Sequence, residues 1–175
     1  MLAENSQGHR LVGLLPTPES ELATLEPLTH ARVVARHHGK VLLVYERDRH
    51  RWELAGGALN PGETARHGAA RELREESSND CRPEQLRFVT AFELAVAPTH
   101  AVPESHTEFG ALYEIEIEHI AAFIPTEEIG ATLWWQGSEL SHELDAIDRK
   151  LIELVLAEGA PASSDLASSS SVAER

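Results

Sequence analysis

The chain has 175 residues, 42% of them hydrophobic, which suits a single globular domain with short extensions. Its 29 acidic residues against 15 basic ones give a net charge of −14, which argues against binding long nucleic acids, because these need a basic surface. The single cysteine, Cys81, excludes an internal disulfide. No apolar run is long enough to span a membrane and the N-terminus lacks a signal-peptide pattern, so a cytoplasmic location is expected.

Residues 1–28 are predicted to form an N-terminal extension that carries no chemistry. The short apolar run at 11–15 fits either an edge strand or an arm that contacts a partner subunit in a homodimer. Prolines at positions 16, 18 and 27 prevent any long helix in this segment.

The chain from 29 to 54 is predicted to form strands. Two runs of β-forming residues lie on either side of a turn at 37–40, and a short strand at 52–54 follows a charged loop at 47–51. His37 and His38, beside the turn glycine, are interpreted as solvated turn residues rather than metal ligands.

The stretch 56–79 is a loop followed by a helix. It opens with Gly56 and Gly57 and continues through Asn-Pro-Gly at 60–62, all residues that favour turns. Thr64 is placed to cap the helix, and strong helix formers dominate from there to about residue 77.

Three glutamates, Glu72, Glu75 and Glu76, occupy one face of this predicted helix. Residues three or four apart are neighbours on a helix, and like charges there destabilise it unless a cation compensates them. Arg71 and Arg74 supply part of that charge, and clustered carboxylate oxygens also suit a hard divalent ion such as Mg²⁺ or Mn²⁺. A solvated helix face with ordinary Glu–Arg pairs is the simpler alternative.

The spacing of these charged residues resembles the Nudix box, the signature of the Nudix hydrolase family. Gly57 is followed after five residues by Glu63, and after seven more by the run Arg-Glu-Leu-Arg-Glu-Glu at 71–76. Every charged position of the family pattern is filled, which makes the match far more specific than a lone glycine motif.

Three positions depart from the family pattern. Ala55 stands where many members have proline, Ser78 replaces the motif glycine, and Asn79 replaces an aliphatic residue. Asparagine is the next best residue after glycine for a left-handed helix cap, so Asn79 is expected to take that conformation one residue later.

The rest of the chain is predicted to complete a sheet and to add a terminal helix. Apolar residues from 112 to 117 alternate with Glu114, Glu116 and Glu118, which predicts a strand with one buried and one solvated face. Apolar residues at helical spacing predict a packed helix within 142–158, and the Ser- and Ala-rich segment 158–175 is expected to be a disordered tail.

The resemblance implies an α/β fold, a Nudix-type α/β/α sandwich with a mixed β-sheet, over residues 29–157. Strands alternating with one box helix and one terminal helix agree with such layers. The resemblance also implies hydrolysis of a pyrophosphate bond in a nucleoside diphosphate derivative, with Mg²⁺ or Mn²⁺ as cofactor. The expected partner is a small-molecule nucleotide substrate, and no nucleic-acid polymer or membrane.

The resemblance assigns roles to individual residues as well. The expected metal ligands are the carbonyl oxygen of Gly56 and the carboxylates of Glu63, Glu72, Glu75 and Glu76. Glu63 is expected to pair with Arg71 or to hold metal through water. Glu72 is the first candidate for the catalytic base and Glu128 the second, while Arg71 is expected to orient the carboxylates. Arg47, in the loop at the mouth of the site, is expected to reach substrate phosphates.

Several alternatives remain at this point. A (deoxy)nucleoside triphosphate is the favoured substrate, and ADP-ribose or a nucleotide sugar is the alternative, since Pro98 lies near but not at the spacing of ADP-ribose hydrolases. A non-catalytic Nudix-fold ligand-binding module is the alternative of another class, but no box glutamate has been lost. An isoprenoid diphosphate isomerase would need a cysteine near the site, and Cys81 lies beyond the box helix.

Overall fold

The structure, a computed structural model, describes residues 1–137 and 143–158. Two α-helices, α1 at Ala65–Ser77 and α2 at Ala146–Glu158, and two 3₁₀ helices, at Glu19–Thr24 and Pro83–Gln85, lie within this part of the chain. Its nine strands are β1 at Ala3–Glu4, β2 at Arg10–Leu15, β3 at Leu28–His37, β4 at Lys40–Glu46, β5 at Arg51–Glu53, β6 at Ala55–Ala58, β7 at Arg87–Val96, β8 at His106–Glu116 and β9 at Ile129–Trp135.

The strands form one mixed sheet, as predicted. The order is β1-β2-β7-β8-β3-β4-β5, with β6 beside the first half of β3 and β9 beside β4. The pairing of β3 with β8 is parallel and the other pairs are antiparallel. β3 pairs with β6 along its first half and with β4 at its last residues. The loop that follows β6 leads directly to the N-terminus of α1.

Hydrophobic cores lie on both faces of the sheet, so the α/β/α sandwich is confirmed. Ala31 and Val33 of β3 are fully buried in the core that includes Leu73 of α1. Val34 points the other way, into the core that includes Leu151 of α2. Neither described helix has the length and apolar character needed to cross a bilayer.

The strand β8 is buried on both faces, so the prediction of one solvated face was wrong. It lies between β7 and β3, and residues 110–115 are all buried. Glu114 is 8% exposed and pairs with Arg36 and Arg87, whereas Glu116 at the strand end is exposed. Central position in the sheet therefore outweighed the alternating pattern.

The N-terminal segment packs against the rest of the chain as an edge of the sheet. The strand β2 pairs antiparallel with β7, and Leu11 is fully buried against the α2 side. The tail expected over 158–175 lies outside the described residues, except for Glu158 at the end of α2.

The N-terminal strand is therefore expected to contribute to stability. Leu11→Ala should lower the free energy of unfolding by about 2–5 kcal/mol, because it leaves a cavity in a packed core. Val12→Ala, on the adjacent residue that is 38% exposed, is the control and should change it by no more than about 0.5 kcal/mol. Urea unfolding of the two variants tests this, and equal effects would contradict it.

Candidate active site

The helix α1 is fixed at both ends by side-chain hydrogen bonds. Thr64 caps its start, and its hydroxyl oxygen accepts from the backbone N–H of His67 at 3.3 Å. At its end Ser78 adopts a left-handed conformation with φ of 62°, so the prediction that Asn79 takes this role was wrong. Asn79 is instead buried, and its Oδ1 accepts from the N–H of Ala121 at 3.0 Å.

The paired glycines let β6 lie close to β3 on one side and to Glu72 of α1 on the other. Gly56 has φ of 147°, and a Cβ there would lie 2.2 Å from the carbonyl oxygen of Ala31. A Cβ on Gly57 would lie 2.7 Å from Oε1 of Glu72. Any larger residue at either position would therefore displace the sheet or the Glu72 carboxylate.

Arg71 connects three of the motif carboxylates. Its guanidinium binds both oxygens of Glu63 at 2.9 Å, Glu72 at 2.8 Å and Glu75 at 3.1 Å. It also donates to the carbonyl oxygen of Ala58 at 2.9 Å. The Glu63 pair lowers the pKa of that carboxyl, which therefore stays ionised at neutral pH. Glu63 thus faces Arg71, one of the two arrangements expected for it.

Glu76 is the most buried of the motif carboxylates. It lies on the same helix face as Glu72, one turn closer to the C-terminal end of α1. One oxygen accepts from the N–H of Gly56 at 2.8 Å. Burial raises its pKa to about 8, although the Gly56 hydrogen bond and the charge of Arg32 oppose this. Burial also raises the pKa of Glu72, against the influence of Arg71. Both carboxylates therefore lie where a further positive charge would be favourable.

The other predicted site residues lie around this helix end. Glu75 is half-exposed, and Glu128 is exposed but near enough for its charge to add to the burial that raises the pKa of Glu76. Arg47 is exposed too, and its N–H donates to the carbonyl oxygen of Glu128 at 3.0 Å. The structure thus places Arg47 and Glu128 side by side, on the segments before β5 and β9.

Arg32 is a site residue that the sequence analysis missed. Its Nη1 donates to the carbonyl oxygen of Gly56 at 2.6 Å, and its Nε lies 3.6 Å from Oδ1 of the buried Asp148. Its signal in the sequence was a charged residue in the middle of an apolar strand, where an unpaired charge is costly. The carbonyl of Gly56, expected to bind metal, thus already accepts one hydrogen bond.

The donor set suits a hard divalent ion, because it consists of carboxylate and carbonyl oxygens. As they stand, no three His, Cys, Asp or Glu side chains within residues 1–137 and 143–158 are arranged to hold a metal ion. Arg71 accounts for this, since it holds Glu72 and Glu75. A metal ion would therefore have to replace Arg71 as the partner of these two carboxylates, while Glu76 is already without a cationic hydrogen-bond partner among the described residues.

A cavity of about 350 Å³ opens on the α2 face of the sheet. Arg32 lines it and donates to the carbonyl oxygen of Gly56, whose N–H in turn binds Glu76, so Arg32 and Gly56 link the cavity to the end of α1. A second cavity, of about 700 Å³, lies at the start of α1, where Arg66, Glu19 and Tyr113 are bonded to one another. The first cavity is connected through Arg32 to Gly56, which binds Glu76, and we take it as the better candidate for the organic part of a substrate.

The chain is similar to a known protein family and to a curated protein. The NUDIX domain matches residues 27–155. A MutT-like protein from Streptomyces ambofaciens is 31% identical over 110 residues, which are 57% of this chain and 71% of that protein.

Solved structures share the fold at lower identity. The Bacillus subtilis pyrophosphohydrolase BsRppH superposes with a TM-score of 0.65 at 17% identity, over 91% of this chain and 98% of that one. The dihydroneopterin triphosphate pyrophosphohydrolase of E. coli superposes with a TM-score of 0.61 at 23% identity, over 77% of this chain and 97% of that one.

The pair formed by Arg71 and Glu63 is expected to stabilise the loop–helix unit. In a double-mutant cycle with Arg71→Ala and Glu63→Ala, the coupling energy should be about 1–3 kcal/mol, because the pair is bidentate and largely buried. Lys150 and Glu153 on α2 form an exposed control pair, whose coupling should not exceed about 0.5 kcal/mol. Thermal or urea unfolding measures both, and a coupling no larger than that of the control would contradict the prediction.

Proposed function

Because the chain belongs to the Nudix hydrolase family, we propose that it hydrolyses the pyrophosphate bond of a (deoxy)nucleoside triphosphate. The observation that carries this proposal is the buried Glu76, on one helix face with Glu72 and Glu75, beside a cavity that shares Arg32 with the site. Carboxylates without full charge compensation suit a metal–phosphate ligand, and the cavity offers room for the nucleoside.

The proposed metal ligands are Glu72, Glu75 and Glu76 together with the carbonyl oxygen of Gly56. A bound Mg²⁺ or Mn²⁺ would offset the negative charge of the phosphates and lower the pKa of a water molecule. The protein's own part is to hold the carboxylates: Arg71 orients Glu72 and Glu75 until a metal ion takes its place, and the N–H of Gly56 orients Glu76.

Glu72 is the proposed base. Its Oε1, which Arg71 holds at 2.8 Å, would bind the metal ion in place of Arg71, and its Oε2 would take a proton from the attacking water. The water oxygen then bonds to phosphorus and the bond to the bridging oxygen breaks, so the leaving pyrophosphate carries away the electron pair. Glu128 is the second candidate, because its charge acts on Glu76 from the segment before β9. Arg47, whose backbone is bonded to that of Glu128, is the proposed contact for the phosphates.

The triphosphate assignment draws its support from two sources. The cavity is of a size suited to a nucleoside, and Arg32 lies between it and Gly56. In addition, one of the solved structures with the same fold is a pyrophosphohydrolase of dihydroneopterin triphosphate, although at 23% identity it shows the fold alone.

A substrate panel tests this assignment. Nucleoside triphosphates, ADP-ribose and nucleotide sugars would be incubated with Mg²⁺ or Mn²⁺, and phosphate and pyrophosphate release measured separately. We expect triphosphates to yield a monophosphate and pyrophosphate, and EDTA to abolish the reaction because the carboxylates then lack their ion. Cleavage of ADP-ribose alone would overturn the substrate class, and binding without turnover would indicate a ligand-binding module.

Glu76→Gln tests the role of the buried carboxylate. The amide oxygen can still accept from Gly56, so the fold should persist, and without metal the melting temperature should stay nearly equal at neutral pH, where a pKa of about 8 leaves the carboxyl mostly protonated, and should rise above pH 8, where the wild type carries a buried charge. Turnover should fall at least about 10- to 100-fold, the loss typical even for residues that only support a metal ligand. Glu153→Gln, on the exposed face of α2, is the matched control. A large loss of stability with activity retained would show that Glu76 is structural.

A further inference from the structure

The cavity on the α2 face has polar walls whose side chains mostly bind one another. Arg49 donates to Glu53 at 2.7 Å, and Asn5 donates to Asp145 at 3.0 Å. These groups are therefore already engaged within the protein. His9 and His30 also line the cavity, and each has one ring nitrogen without a hydrogen-bond partner among the described residues. Nδ1 of His9 accepts from the N–H of Ala97, so its open Nε2 carries the proton and is a donor; His30 differs from it in this respect.

The Nδ1 side of His30 is fully engaged. This atom lies 2.7 Å from Oγ1 of Thr29 and 3.2 Å from Oε2 of Glu108. The opposite nitrogen, Nε2, has no hydrogen-bond partner among the described residues, and the side chain is 29% exposed. One edge of the imidazole is thus held by the protein while the other faces the cavity.

The hydrogen bonds around Glu108 determine which nitrogen of His30 carries the proton. An ionised carboxylate only accepts, and Glu108 accepts from Thr29 Oγ1 at 2.7 Å and from His106 Nε2 at 2.8 Å. The Thr29 hydroxyl therefore donates its hydrogen to Glu108, and its oxygen accepts a hydrogen bond from Nδ1–H of His30. It follows that Nε2 carries a lone pair and is an acceptor.

The ionisation states agree with this arrangement. Burial lowers the pKa of His30 to about 4, with Arg32 adding to the effect and Glu108 opposing it, so the ring is neutral at neutral pH. Burial acts to raise the pKa of Glu108, but the hydrogen bonds from Thr29 and His106 outweigh it and lower that pKa.

We propose that His30 determines substrate specificity: its Nε2 accepts a hydrogen bond from an N–H group of the heterocycle that fills the cavity. The cavity then selects nucleobases with an exocyclic amino group over counterparts that lack it. Thr29 and Glu108 are positioning residues, which hold the ring and its tautomer. This inference rests on the proposed function, because it assigns the cavity to the base of the nucleotide whose phosphates lie near Gly56.

The tautomer is tested first, without any substrate. Nitrogen-15 NMR of the imidazoles at neutral pH should show His30 with a protonated Nδ1 and an unprotonated Nε2, the signal being assigned with His30→Leu. In Glu108→Gln the amide can donate to Thr29, whose hydroxyl then turns to Nδ1, so the proton should move to Nε2. Thr29→Val, which removes the intervening hydroxyl, is a second variant should Glu108→Gln fail to fold. Finding the proton on Nε2 in the wild type would overturn the proposal.

Specificity is tested with matched nucleotides. The pairs are guanosine and inosine, adenosine and inosine, and cytidine and uridine triphosphates, which differ at an amino position. In at least one pair kcat/KM should favour the amino compound by about 5- to 10-fold, the value of one hydrogen bond. His30→Leu and Glu108→Gln should bring that ratio close to one. His119→Leu changes an exposed histidine that does not line the cavity, and this variant should keep the ratio.

Failure of this inference and of the proposed function are distinguishable. Turnover of triphosphates with the same ratio in wild type and His30→Leu would refute the role of His30 and leave the function intact. If no triphosphate is hydrolysed, the proposed function is refuted. The affinities of the corresponding monophosphates, measured by calorimetry, then test whether His30 selects the base. Equal affinities within every pair would refute its role there too.

Discussion

One guanidinium, that of Arg71, sets the arrangement of the motif carboxylates. It binds Glu63, Glu72 and Glu75 and reaches the carbonyl oxygen of Ala58 as well. Arginine offers five N–H donors in a planar fork, whereas lysine has three on one atom, so arginine suits several acceptors at once. Without it the neighbouring negative charges on the helix face would be uncompensated, and the loop before α1 would lose its hydrogen bonds to the helix. The position of α1 against β6 depends on this side chain.

Charge compensation by Arg71 does not extend along the whole face. Glu76, one turn further, is held by the N–H of Gly56, and the more distant Arg32 contributes positive charge there. The two ends of the face therefore differ. Arg71 compensates the charge of the carboxylates at one end, whereas Glu76 at the other end is buried without a bound cation, so its ionised form is unfavourable. That asymmetry supports the proposal that metal and phosphate bind toward Gly56, which Arg32 links to the cavity.

What the sequence predicted well was local. The spacing of Glu72, Glu75 and Glu76 places them on one face whatever the rest of the chain does, and the loop–helix arrangement depends on nearby turn and cap residues. Features that depend on distant pairing were missed. Glu114 is buried because β8 lies between β3 and β7, and Arg32 gains its role from Gly56 and Asp148, which come from other segments. The strands beside Glu114 and the partners of Arg32 cannot be identified from the alternation of residues along a single strand.

The end of α1 shows how the departure from the family motif is accommodated. A serine with positive φ carries backbone strain of the order of 1–3 kcal/mol, which glycine would avoid. Its side chain offers something that glycine lacks, because Oγ of Ser78 accepts from the N–H of Ile124 at 3.2 Å. Asn79 makes a similar bond to Ala121, so both substituted residues bind the segment that leads to β9. The last turn of α1, which carries Glu75 and Glu76, is thereby attached to the segment that brings Glu128 near the site.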